Sequence, residues 1–135
     1  MIQQLSVFME NRTGILSAVL DVLKQAEIQL YAISIADTTD YGICRIICDR
    51  PADARKSLMA AGIAAALSDV CAVELANTPG AAADMVALFA REGLSLAYLY
   101  TFLFKEKPVM VFRTDDAAKA RQILESGGLC CFQWN

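Results

Sequence analysis

A chain of 135 residues is near the usual size of one domain, or enough for two very small ones that share a core. Apolar residues make up 56% of it and mean hydropathy is +0.41, yet the longest uncharged apolar stretch, Leu94 to Phe104, has 11 residues, short of the roughly 20 that a membrane-spanning helix needs. A net charge of −3, a pI of about 4.8 and the lack of any basic run remove the electrostatic basis for binding nucleic acid or docking on an anionic membrane.

In chain order, Leu5, Val7 and Met9 alternate with Gln4, Ser6 and Phe8, a strand pattern. The turn Asn11-Arg12-Thr13-Gly14 leads into a helix with Leu16, Val19, Leu20 and Leu23 on one face. A second strand is expected over Leu30 to Ala36, a polar turn over Asp37 to Gly42 and a third strand over Ile43 to Cys48. Pro51 suits the first turn of a helix that runs to about Ala61 and stops at Gly62. A short strand follows around Ala64 to Leu67. The pattern then starts again. Val70 to Leu75 reads as a strand, Ala81 to Arg91 as a helix, and Leu96 to Phe104 with Val109 to Thr114 as a hairpin turning at Lys105 to Pro108. A helix over Ala117 to Glu125 ends at Gly127 and Gly128, and a last strand is expected over Leu129 to Trp134.

The second half repeats the first at an offset of 66 residues without a gap. Asn11 matches Asn77, Gly14 matches Gly80, Arg55 matches Arg121 and Gly62 matches Gly128. Glycine and asparagine mark turns and caps, so these matches fall where the backbone is most constrained. Two copies of a βαββαβ unit predict an α+β fold of two tandem ferredoxin-like modules, residues 1–67 and 68–135, with antiparallel sheets paired side by side. Both faces of the third strand of the second copy are apolar, Met110 and Phe112 on one and Val109 and Val111 on the other. With the high apolar content, this predicts a homodimer that covers the second face.

Histidine is absent, which removes histidine-based nucleophile activation and Cys/His metal sites. Cys44, Cys48, Cys71, Cys130 and Cys131 show no C-x-x-C spacing. Their odd number and the lack of a basic, apolar leader after Met1 read as reduced thiols in a cytoplasmic protein. Cysteine in such strands behaves as a small apolar residue. Acidic pairs such as Asp115-Asp116 stand at turns and helix starts, where they are expected without catalysis. No enzyme activity, metal or cofactor is expected.

The ordered set resembles the ACT-domain family over nearly the whole chain. The resemblance is carried by Val7 to Leu16 in the first copy, Val73 to Ala81 with its Pro79-Gly80 pair in the second, and Leu94 to Tyr100. It implies small-ligand regulatory modules that bind amino acids most often and act on metabolic enzymes. It further implies a ligand at the junction of two paired modules, between the loop after one first strand and the second strand of the neighbour. ACT modules are usually appended to a catalytic or DNA-binding domain, and this sequence reads as none.

The residues themselves fit an amino acid. A helix N-terminus offers unpaired N–H groups and partial positive charge to a carboxylate. Gly14 and Gly80 would let a ligand approach the backbone, and Asn11 and Asn77 carry both donor and acceptor. The candidate ligand contacts are Asn11, Arg12, Thr13, Gly14 and Ile15 in one loop and Asn77, Thr78, Gly80 and Ala81 in the other. Tyr98, Leu99 and Tyr100 are the candidate opposite wall, and strand carbonyls around Ala32 to Ile35 or Tyr98 to Thr101 are the candidates to face the ammonium. The plain alternatives are that both asparagines cap helices, that Arg12 is a solvated charge and that one side of Tyr98–Tyr100 is ordinary core. Pro79 removes a donor from the second loop, so the first is the favoured site. The competing reading of the whole chain is a protein-interaction scaffold of the same fold without a ligand.

Overall fold

A computed structural model describes residues 1–10, 12–37 and 41–134 of the chain. The reading made of Asn11 lies outside the described residues, as do Thr38, Thr39 and Asp40 of the turn expected over Asp37 to Gly42, whose Asp37, Tyr41 and Gly42 are strand residues instead. The chain divides into two compact units, one of residues 3–69 and one of residues 70–135 together with residues 1–2. Among the described residues it is α+β, with six antiparallel strands and four helices.

In the first unit, β1 (Ile2–Glu10) and α1 (Ile15–Gln25) are followed by β2 (Leu30–Asp37), β3 (Tyr41–Cys48) and α2 (Pro51–Ala60). The sheet runs β2-β3-β1, and the Phe8 N–H donates to the Ala64 carbonyl at 3.0 Å. Alternation sends Leu5, Val7 and Met9 of β1 and Cys44 and Ile46 of β3 to the helix side, where they meet Val19, Leu23, Ala54 and Leu58. Ser6 stands opposite Arg45 on the other face.

The second unit takes the end of β4 (Ala65–Glu74), then α3 (Ala81–Arg91), β5 (Leu96–Phe104), β6 (Lys107–Thr114) and α4 (Ala117–Ser126). Its sheet runs β4-β6-β5. Val73, Met110 and Phe112 pack under Met85, Phe89, Ile123 and Leu124, with the Phe89 and Phe112 rings 5.0 Å apart.

Matched positions share backbone geometry. Gly14 and Gly80 cap their helices at φ 87° and 88°. Gly62 and Gly128, after α2 and α4, lie at 79° and 71°. Glu27 holds the left-handed position that Gly93 fills in the second copy. The end of α1 is secured instead by Arg50, whose Nη2 donates to the Ala26 and Glu27 carbonyls at 2.9 and 2.7 Å.

Four expectations need correcting. Ala64–Leu67 and Val70–Leu75 are not two strands. Ser68-Asp69 contains no breaker, so β4 runs on from Ala65 to Glu74. The hairpin turns on Lys105 and Glu106 alone, both at positive φ, in the manner of a two-residue turn that matches strand twist. Lys107 and Pro108 therefore belong to β6. Leu129–Trp134 forms no regular strand. It keeps one bridge, Cys131 to Val73, and a Phe132 N–H bond to the Ala72 carbonyl at 2.9 Å. Finally, Val109, Met110, Val111 and Phe112 are all fully buried within the single chain, so neither face of β6 waits for a second copy. On the face away from the helices, Phe102, Phe104, Phe132 and Trp134 cluster with ring centres 5.0–6.2 Å apart.

Candidate functional site

Each unit opens its first helix with a loop and a left-handed glycine. Neither Gly14 nor Gly80 has any atom within 4 Å of where a Cβ would stand. The space beside both backbones is open, which only glycine combines with this φ at no steric cost. The Ile15 N–H donates back to the Arg12 carbonyl at 3.4 Å, and the Ala81 N–H to Thr78 at 3.3 Å. Ala18 and Asp84 bond the Gly14 and Gly80 carbonyls at 3.0 and 2.9 Å. The orphan donors of the first turn are therefore Leu16 and Ser17 in α1 and Ala82 and Ala83 in α3. Ile15 and Ala81 line the loops, but their own N–H groups are engaged.

No side chain caps either helix. The cap reading of Asn77 fails for a geometric reason: the cap position is Gly80, and Asn77 stands exposed three residues earlier. Thr78 is exposed beside it, and Thr13 keeps the N–H that Pro79 lacks. Arg12 lies against Glu10, Nε to Oε2 3.4 Å, with both side chains about two-thirds exposed. That pair contributes little to stability and leaves the guanidinium in water.

Tyr98 and Tyr100 stack along β5 with ring centres 6.4 Å apart, half-buried, on the face away from the helices. Leu99 points to the opposite face and is 43% exposed. The expected wall is thus split: the tyrosines form one surface and Leu99 belongs to another. Arg12 to Ile15 stand in one compact unit and Tyr98 to Thr101 in the other.

The five cysteines are free thiols. Burial pushes Cys44 and Cys48 up to about 11 and raises Cys71, so none of these three is a thiolate near neutral pH. Asp116 caps α4 by accepting from the Lys119 N–H at 3.0 Å, the structural role expected of it. No group of three metal-ligating side chains occurs among the described residues, and no helix is long and apolar enough to cross a membrane.

Each of the two units is ferredoxin-like in its element order and opens its first helix on a left-handed glycine with open space beside it. The chain belongs to the ACT domain pair family, whose profile matches residues 1–130. A solved protein from Bacteroides thetaiotaomicron is 32% identical, covers 96% of this chain over 90% of its own and superposes with a TM-score of 0.88. The regulatory subunits of aspartate kinase from Thermus thermophilus and Thermus flavus are each 20% identical. Their TM-scores are 0.62 and 0.60, over 92% and 93% of this chain and 91% and 92% of theirs, a likeness of fold. No curated protein matches the chain.

Proposed function

We infer that the chain is a regulatory sensor of a free amino acid. The observation that carries this reading is the repeated helix start. In an ACT domain pair, both copies keep a left-handed glycine with open space beside it and unpaired N–H groups two and three residues further on. The ligand carboxylate sits on the first turn of α1, near Thr13 to Ile15. Its ammonium faces the carbonyls of Tyr98 to Thr101 of a paired module, in this chain or a second copy. The response passes to a metabolic enzyme in the cytoplasm. A thermal-shift screen with the common amino acids tests the reading, because a ligand of the folded state raises Tm by mass action. Stabilisation by at least one amino acid is expected; an unchanged Tm throughout leaves the ligand-free scaffold as the better reading.

The chain acts as a homodimer through its sheet edges. Ile33 and Ile35 on β2 and Leu99 and Leu103 on β5 are 43–66% exposed, apolar residues on strands with an unpaired side. Light scattering is expected to give twice 14.7 kDa at micromolar concentration. A clean monomer there would refute the dimer.

A further inference from the structure

Beneath α4 the second unit holds a cavity of about 380 Å³, within the range of small-molecule sites. Cys71, Ala117, Ala118, Leu124 and Cys131 give it apolar walls, and Arg121 is the one charged side chain that lines it. In the first copy the matching residue, Arg55, is bolted down: its Nε donates to the Ala65 carbonyl at 3.2 Å. The position matching Ala65 is Cys131, which lies on the terminal segment outside any regular strand. No hydrogen bond or ion pair holds Arg121 among the described residues. The repeat has thus kept an arginine and lost its structural partner, and that arginine stands over an apolar hollow.

We propose that this cavity is a binding site for a small monocarboxylate with a compact apolar body, its carboxylate held by Arg121. The guanidinium is permanently charged, and its planar fork fits a carboxylate with two parallel hydrogen bonds. The alanine, leucine and cysteine walls take the body out of water. Gln122, also on the lining, supplies a further donor. A neutral ligand leaves the guanidinium unused. Met1 also lines the cavity, and the adjoining cleft, which shares Arg121, carries Glu125, which disfavours a second negative charge on that side. None of the residues of the two helix-start loops lines the cavity, so the site is independent of the amino-acid reading above.

The test titrates the full chain with 4-methylpentanoate and with its neutral amide, 4-methylpentanamide, following methyl resonances by NMR. The acid is expected to bind at least about tenfold more tightly than the amide, a difference of about 1.4 kcal/mol. Arg121→Gln should bring the acid down to the amide's affinity, and Ala118→Trp, filling the cavity from the exposed side of α4, should abolish both. Arg55→Gln and Gly14→Val should leave acid binding unchanged. Circular dichroism checks that each variant is folded. Equal affinity for acid and amide, full binding by Arg121→Gln, or no binding by the wild type up to about 10 mM would each overturn the proposal.

Discussion

Gly14→Val is expected to weaken amino-acid binding at least about tenfold, while Gly80→Val retains most of it. The two glycines make an internally controlled pair. Their φ angles are 87° and 88°, and an added Cβ meets nothing within 4 Å at either one. Forcing an L side chain into that region costs about 1–2 kcal/mol, more for a β-branched residue, and costs it equally in both loops. The strain therefore cancels when the variants are compared, and what remains is the obstruction of the space beside each helix start. The loops differ in their donors, because Thr13 retains an N–H where Pro79 has none. Calorimetric titration of the wild type and both variants reads the difference. Equal binding by wild type and Gly14→Val rules out the first loop, and loss confined to Gly80→Val moves the site to the second.

Phe112→Ala is expected to cost about 3–5 kcal/mol of folding stability, by lost transfer energy and the void left behind. Phe112 is fully buried, contacts Phe89 at 5.0 Å and sits at the centre of the cluster formed by Val73, Met85, Met110 and Leu124. Total stabilities of small proteins are about 5–15 kcal/mol, so this one change takes the second unit close to its unfolding threshold. The matched residue in the first unit is Ile46, and Ile46→Val, which removes a single methyl, should cost only about 0.5–1.5 kcal/mol. Urea denaturation followed by circular dichroism measures both. A loss below about 1 kcal/mol for Phe112→Ala would mean that the core of this unit lies elsewhere.

Much of this fold was legible because its signals are local. The bounds of α3 and β5 follow from Gly80, Gly93 and the apolar periods between them. The 66-residue repeat is mirrored in the left-handed glycines at 14 and 80 and at 62 and 128. What stayed hidden depends on pairing across the chain. Nothing local distinguishes Ala65–Glu74 from two short strands, since continuity depends on what each half lies beside. The terminal segment reads as a strand from its alternation, but only one bridge ties it to β4. The burial of both faces of Val109–Phe112 likewise comes from residues distant in sequence.

The candidate site was legible to a lesser degree. Glycine at each helix start was readable as a place where backbone is bare. That the glycine itself is the cap, displacing Asn77 from the role, depends on a φ angle that the letters do not carry. That Tyr98 and Tyr100 share a surface while Leu99 does not follows from strand alternation alone. Arg121 had no signal beyond its match to Arg55. Its interest lies in a carbonyl contact present in one copy and missing in the other, which only coordinates reveal.

The aromatic cluster at the terminal segment gives the molecule a built-in optical reporter. Trp134 is the chain's one tryptophan, and it packs against Phe102, Phe104 and Phe132 at 5.0–6.2 Å. Its emission therefore follows the docking of this segment, whereas far-ultraviolet dichroism follows the helices and strands of both units. If the two signals melt together, the segment is part of the cooperative fold; if the emission changes first, the aromatic cap leaves while the ladder beneath it still stands.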